Sequence, residues 1–435
     1  MRKLLYRIVK IILKRGELII VKRYKPFIQQ NINTRGGFGR LTTSVFLNSI
    51  GRPAADALVR IYDPTSTILI EETRTDASGQ MQPITLPAPP LDYSMNPDEG
   101  RPFNLFNVSV FLPGFIEANV YNVQVYPDTL AIQQVVLNPT YESIDIPYPT
   151  LWGDFPPKIP EDEVKKLPFP GNLVVLPEPV VPEFVVVHDG VPENTGAANY
   201  TVGFKEYIKN VASSEIYATW PIESLKANIL AMISFTLNRV YTEWYRSKGF
   251  NFTITNSTAY DQAFNYGRNI YTQVSDVVDE LFTTYISRPG LAQPLFTQYS
   301  DGKRIVREGW LSQWGSKYLA DSGYTALQIL KNYYGSDIIL RQAPKVEGIP
   351  ISFPGYVLEV GSSGEPVRTI QHQLNAISRN FPLIPKLIED GVYGENTAAS
   401  VSKFQEIFKM PITGKVDFAT WYRISNVFTA VEKLS

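Results

Sequence analysis

Eleven of the chain's 33 prolines fall between Pro139 and Pro182, and no other feature limits the fold so severely. Proline fixes φ and lacks an amide donor, so a stretch this dense can form neither a helix nor an inner strand and prefers extended, polyproline-like backbone. The 435-residue chain is therefore divided. The segments on either side of the stretch must each bury a core, and length alone predicts two to four domains. Residues 141–182 read as an accessible linker, and exposed extended backbone is what proteases accommodate.

On the N-terminal side, residues 38–140 alternate with period two over Leu41 to Leu47, Ala57 to Tyr62, Ile68 to Thr73, Phe106 to Phe111, Val120 to Val125 and Leu130 to Leu137. Gly51-Arg52-Pro53, Thr75 to Gly79 and Leu86-Pro87-Ala88-Pro89 read as the loops between them, which predicts a β-sandwich. Residues 1–37 form a basic leader: nine Lys or Arg and one acid occur in the first 25 positions, with Leu4, Leu5, Ile8, Ile11 and Ile12 at helical spacing. Arg7 and Lys10 interrupt what would be the apolar core of a secretory signal, and no run reaches transmembrane length. A basic amphipathic helix could touch a membrane or an anionic wall, although a flexible or docked leader is the commoner case.

On the C-terminal side, Phe204, Ile208 and Val211 recur at spacings of four and three, and Glu215 is the next position on that stripe. It is expected to face inward, where apolar neighbours disfavour its charged form and raise its pKa toward general-acid use near neutrality. The alternative is a helix-end glutamate that turns outward or pairs with a nearby lysine such as Lys209 or Lys226. Trp220-Pro221 ends this helix and opens a second, with Pro221 at the first helical position and Glu223 in the first turn. Ile222, Leu225, Ile229, Met232, Ile233, Leu237 and Val240 give the second helix a long buried stripe.

Composition removes several function classes. A net charge of −1 supplies no global field for nucleic acid, and no basic patch is interleaved with stacking aromatics. With no cysteine there are no disulfides, thiol nucleophiles or Cys-ligated zinc, and two distant histidines, His188 and His372, make a His-rich zinc site improbable. Neither a cofactor nor a metal is expected.

The segment Ser214-Glu215, Trp220-Pro221 and Glu223-Ser224-Leu225-Lys226-Ala227 resembles the lytic transglycosylase domain of the stage II sporulation protein D type, whose signature is Ala-Glu, Trp-Pro and Glu-Ala-Leu-Lys-Ala before a long helix. The resemblance runs from about 185 to 340 and puts that family's catalytic acid on Glu215. Tyr260-Asp261-Gln262 stands where the family has a Gln-containing cleft loop, and Leu311-Ser312-Gln313-Trp314-Gly315 is similar to its Met-Ser-Gln-Tyr-Gly motif. Tyr260, Gln262, Ser312, Gln313 and Trp314 are thereby implied in substrate contact; packing against the core is the equal alternative for Ser312, Gln313 and Trp314. Arg307-Glu308 replaces the family's His-Gly pair, and its metal ligands are absent, so metal dependence is not carried over.

Residues 352–432 carry a second set of motifs. Val367, Ile370, Leu374 and Ile377 form one helical stripe and Val401, Phe404 and Phe408 another, with Asn396 and Asp417 at expected N-caps and glycines 391, 394 and 414 between elements. This pattern predicts a three-helix module. Its ordered run of Gly-Ser-Ser-Gly, Val-Arg-x-x-Gln, Asp-Gly-x-x-Gly, Phe-Gln, Thr-Gly-x-Val-Asp and Thr-Trp resembles the peptidoglycan-binding domain of bacterial wall hydrolases. That resemblance implies a wall ligand near Asp390, Tyr393, Thr397 and Gln405, although a cap or core role is at least as common for each. The connection at Gly348, Pro350, Pro354 and Gly355 suggests that the module can be removed without disturbing the domain before it.

The sandwich resembles the carboxypeptidase regulatory-like fold. The whole order is multidomain α+β: leader, sandwich, linker, a transglycosylase-like domain over 183–345 and the wall module. With Val175 to Pro179 and Phe296 to Gly302, it resembles the SleC-type spore-cortex-lytic enzymes of clostridia. That resemblance implies a germination enzyme stored in the cortex and coat region of the dormant spore as a proenzyme. A subtilisin-like Csp protease would cut it near Val174 or Val175, and it would degrade cortex peptidoglycan. A muramidase, an amidase or a non-catalytic wall-binding envelope protein are the alternatives. A hydrolysing glycosidase ordinarily needs a second carboxylate, for which Asp261 and Glu308 are the candidates.

Overall fold

The computed structural model describes residues 36–48, 51–138, 143–165, 176 and 178–433, and the backbone of 8–14 and 17–23. Ile8–Lys14 (β1) and Glu17–Arg23 (β2) form an antiparallel hairpin with Lys14 opposite Glu17. The helix allowed by the leader's spacing is not formed there, since adjacent Ile and Val residues lose χ1 freedom in a helix and suit a pleated strand.

The sandwich is built from β3 (Gly37–Leu47), β4 (Leu58–Tyr62), β5 (Leu69–Arg74), β6 (Ile84–Ala88), a short α1 (Asp92–Met95), β7 (Asn104–Phe111), β8 (Ala118–Val125), β9 (Leu130–Leu137) and β10 (Ser143–Asp145). One sheet has the order β10-β8-β7-β4-β5; in the other, β9 and β6 flank β3. Leu41, Val45, Val59, Ile61, Val108, Val110 and Val135 fill the space between them, as the alternation predicts. The stretch Leu86 to Pro89, expected as a loop, instead supplies β6, with Pro87 opposite Phe38. An edge strand tolerates a proline because its outer amides have no ladder partner to lose.

The central domain contains β11 (Val180–Val181), β12 (Phe184–His188), β13 (Asn199–Gly203), α2 (Phe204–Glu215), α3 (Ile222–Tyr241), β14 (Ile254–Thr255), β15 (Ile270–Tyr271), α4 (Thr272–Leu281), β16 (Thr284–Ser287), β17 (Tyr299–Ser300), β18 (Leu311–Ser312), α5 (Gln313–Asp321), α6 (Ala326–Tyr334), β19 (Ile339–Gln342) and β20 (Lys345–Val346). Helix α3 is its axis. Helices α2, α4, α5 and α6 and strand β16 all pack on it, so most of its residues are buried, although Ile222 at its start faces solvent. Pro221 is its N-cap rather than its first helical residue, its carbonyl accepting from the amides of Ser224 and Leu225. None of the helices among the described residues is long and apolar enough to cross a membrane.

Three helices, α7 (Glu365–Ile377), α8 (Glu395–Ile407) and α9 (Phe418–Glu432), complete the C-terminal module around Val367, Ile370, Leu374, Val401, Phe404 and Trp421. Asp417 caps α9 by accepting from the Thr420 amide at 2.8 Å, but Asn396 lies inside α8, whose N-cap is Gly394. The module is not merely tethered. Phe418 and Tyr422 pack on Phe282 just after α4, with centroids 5.5 and 5.1 Å away, and Arg423 binds Glu206 of α2 at 3.0 Å.

The proline-rich stretch departs furthest from expectation. Val174 and Val175 lie outside the described residues, but residues 143–165 are not a solvated linker. They run as a strap from the sandwich across the central domain. Ile146 is buried, the Thr150 amide donates to the Ser214 carbonyl at 2.9 Å, the Ile159 amide to the Ala259 carbonyl at 2.6 Å, and the Phe296 amide to the Glu163 carbonyl at 2.8 Å. Extended backbone with few internal hydrogen bonds leaves its amides and carbonyls free to bind a neighbouring surface, and here they do.

Candidate active site

Glu215 ends α2 at the corner with α3, and its residue exposure is 2 %. The inward orientation follows from the stripe that Phe204, Ile208 and Val211 begin, all of which are buried. The paired alternative is not realised: Lys209 binds Asp279 at 2.8 Å and Lys226 binds Glu280 at 2.7 Å.

The surroundings of the carboxylate are more polar than its stripe predicts. Its Oε1 accepts the Ala263 amide at 2.7 Å, and its Oε2 lies 3.4 Å from the Gln313 side-chain nitrogen. The Tyr299 hydroxyl also bonds it; burial, then the charge of Glu215, pushes that hydroxyl well above the usual tyrosine range. Tyr299 is in turn held by Gln262, whose Nε2 donates to its oxygen at 3.2 Å and to the Met232 carbonyl at 3.2 Å. Tyr207 and Thr236 donate to Gln262 Oε1 at 3.0 and 2.8 Å. Gln262 is fully buried, so it orients Tyr299 rather than lining an open cleft.

The Leu-Ser-Gln-Trp-Gly segment has a local structural logic. Ser312 caps α5 by accepting the Gly315 amide at 2.9 Å, and that turn aims Gln313 at Glu215. A Cβ on Gly315 would collide with the Tyr333 hydroxyl, which explains the glycine. Trp314 is buried in an aromatic cluster with Trp220 and Tyr217, at centroid distances of 5.0 and 5.9 Å, and Tyr318 stacks with it at 6.1 Å. Tyr260 is half-buried, and its carbonyl accepts from Arg239.

Neither candidate second acid joins Glu215. Asp261 is fully buried, and its oxygens are taken by Arg239 Nε at 2.7 Å, Tyr245 at 2.7 Å and the amide and hydroxyl of Thr255 at 2.9 and 2.8 Å. A carboxylate saturated in this way is structural. Glu308 lies on an exposed loop.

The sequence gives no sign of the group that the strap brings to the site. Lys158 is buried, with Nζ 4.6 Å from the centre of the Tyr299 ring and donating to the Asp261 carbonyl. Burial pushes its ammonium below the usual lysine range, against the opposing charges of Glu215 and Asp261. The Thr150 hydroxyl lies 3.4 Å from the Glu215 carbonyl. A cavity of about 360 Å³ where the sandwich, central domain and wall module meet does not include Glu215.

In the C-terminal module, only Asp390 of the four expected ligand residues is exposed. It accepts from Gln371 and the Val392 amide, both at 2.9 Å. Tyr393 is in the core and donates to the Gly414 carbonyl, Thr397 is buried beside Gln371, and Gln405 organises the 413–415 turn through both ends of its amide. Polar side chains that serve a turn and those that meet a ligand look alike when only the motif is seen. The surface beside Asp390 is instead apolar, with Ile388 at 81 % and Val392 at 54 % exposure.

Residues 193–283 match the model of the Stage II sporulation protein family, and residues 363–424 match the family described as "Putative peptidoglycan binding domain". No curated protein matches the chain significantly. The two matches support a peptidoglycan-acting sporulation enzyme with peptidoglycan as its partner, on a mixed α+β, multidomain fold.

Proposed function

We propose that the chain is the stored proenzyme of a germination enzyme that degrades spore-cortex peptidoglycan, and that its active form is a lytic transglycosylase cleaving the MurNAc-GlcNAc bond with Glu215. The observation that supports this reading most is that Glu215 is held by an amide, a glutamine and a tyrosine, while Asp261, a candidate second acid, has both oxygens taken by Arg239, Tyr245 and Thr255. Hydrolysis by two carboxylates needs a second one free to act on water or on the sugar. A lytic transglycosylase needs only one. Its acid form protonates the glycosidic oxygen, the resulting carboxylate takes the proton of the muramic C6 hydroxyl, and that oxygen closes onto C1 as a 1,6-anhydro ring. No water enters.

Activation fits a cut before Val174 or Val175 by a subtilisin-like Csp protease in the cortex and coat region of the germinating spore. N-terminal sequencing of the form recovered from such spores tests this, and a mature start within 38–140 or after Phe204 overturns it. Mass spectrometry of a cortex digest tests the chemistry. The expected products end in anhydro-muramic acid, one water lighter than hydrolytic products; reducing muramic ends would return the muramidase, released peptides the amidase, and no products the wall-binding envelope protein.

A further inference from the structure

From the strap's contacts we infer that the groove it fills is the glycan-binding cleft of the active enzyme, and that Arg239 and Arg288 in that groove bind carboxylates of the peptidoglycan strand. The inference rests on the glycan-cleaving reading above and gives it a substrate site. Beyond Lys158, the strap sets Glu161 against Arg239, whose two terminal nitrogens hold the carboxylate at 3.0 and 2.6 Å, and Glu163 against one terminal nitrogen of Arg288 at 2.8 Å, the other being held by Asp337. On either side of these two glutamates in the chain, Lys158 lies over the Tyr299 ring, and Lys165 lies 4.0 Å from the centre of the Phe296 ring and 4.6 Å from that of Trp244. Gln298 and Gln293 serve the strap backbone, accepting the Glu161 and Lys165 amides at 2.9 and 2.8 Å.

Aromatic faces flanked by amides, one arginine fork and a second guanidinium form a surface suited to sugars that carry carboxylates. Rings stack on the apolar faces of pyranosides, amides pair with hydroxyls, and a guanidinium takes a carboxylate in two parallel bonds. The lactyl and stem-peptide groups of peptidoglycan supply such carboxylates along the strand. In the uncut chain, Glu161 and Glu163 stand in for them. The groove leads to Glu215, because the Tyr299 ring under Lys158 carries the hydroxyl that bonds the Glu215 carboxylate. At its other end, Arg239 and Trp244 also border a cavity of about 250 Å³, which leaves room for the strand to continue.

The test locks the strap. Because the chain has no cysteine, Ile159→Cys with Ala259→Cys gives one possible disulfide where the two backbones already pair. The full chain, cut at a protease site placed within 168–175, is titrated calorimetrically with a soluble peptide-bearing tetrasaccharide of peptidoglycan. The wall module contributes equally in both redox states. Reduction is expected to add a binding component at least tenfold tighter than any seen in the oxidised protein. Equal binding in both states, with cortex still lysed, overturns the groove assignment while the function stands. No binding change and no lysis in either state removes the function reading and this inference with it. Independently of disulfide formation, Glu161→Gln with Glu163→Gln in the uncut chain should raise tetrasaccharide affinity at least fivefold, and an unchanged affinity counts against the groove.

Discussion

The backbone amide of Ala263 holds the Glu215 carboxylate at 2.7 Å, so a residue remote in sequence fixes the orientation of the candidate acid. Glu215→Gln preserves the acceptor for that amide but cannot cycle a proton. Turnover of cortex fragments should fall on the order of a hundredfold to ten-thousandfold, with the melting temperature and wall binding kept. Full activity in this variant would exclude Glu215 as the catalyst.

Tyr299→Phe removes one donor to the carboxylate and leaves Gln262 short of an acceptor in a buried site. A hydrogen bond to a charged group contributes roughly 1.5–3 kcal/mol, so the maximal rate should fall about tenfold to a hundredfold. Steady-state kinetics on soluble glycan should show the loss in kcat with KM little changed. A change confined to KM would make Tyr299 a substrate contact rather than a positioning residue.

Truncation after residue 351 should weaken more than wall binding. It uncovers Phe282, now 1 % exposed, and deprives Glu206 of Arg423. Burying one such aromatic side chain contributes roughly 1.5–3 kcal/mol, so calorimetry should show a melting temperature several degrees below that of the full chain. An unchanged melting temperature would mean that the α4–α9 contact contributes nothing.

Lys165 gives the strap a pH dependence. Burial lowers its ammonium to about 8, against the opposing pull of Glu161. Undocked, the same lysine titrates near its ordinary value of about 10.4, so between pH 8 and 10 the released strap binds more protons than the docked one. Docking therefore strengthens as pH rises through that window. Hydrogen exchange of the strap amides, corrected for intrinsic rates, should slow accordingly, and Lys165→Met should abolish the trend.

Asp276 in α4 is shifted the opposite way, pushed up to about 6 by burial and then by the charge of Asp279. An acid raised in the folded state contributes stability below its unfolded pKa, and that contribution is lost as pH rises from about 4 to 6. Asp276→Asn should accordingly stabilise the protein at pH 7 by on the order of 1 kcal/mol and have little effect at pH 4. Denaturant melts at the two pH values decide.

Legibility in the sequence tracks regularity. The inward position of Glu215 is readable because α2 repeats its apolar residues with helical period, and the sandwich is readable because its strands alternate. Lys158 and Glu161 are not readable, because a polyproline segment has no face of its own and its charges look solvated until a partner surface is known. Tyr393, Thr397 and Gln405 are hard to read for a related reason: their polar groups pair with nearby backbone and side chains, which a motif does not distinguish from ligand contact. The second half of the Glu215 environment comes from Ala263, Tyr299 and Gln313, whose convergence depends on how α3 and α5 pack rather than on any local pattern.

Strand β15 belongs to the central domain in sequence but to the sandwich in pairing, with Ile270 and Tyr271 set antiparallel to Ile132 and Ala131 of β9. Beside it, Asn269 and Gln124 exchange hydrogen bonds through the Asn269 side chain and the Gln124 backbone, at 3.3 and 3.0 Å. Cutting the covalent chain leaves these bonds in place. The two fragments should therefore stay together through gel filtration after the cut, and cortex lysis should begin only after a lag set by unzipping. That lag is first order and independent of how much protease is added.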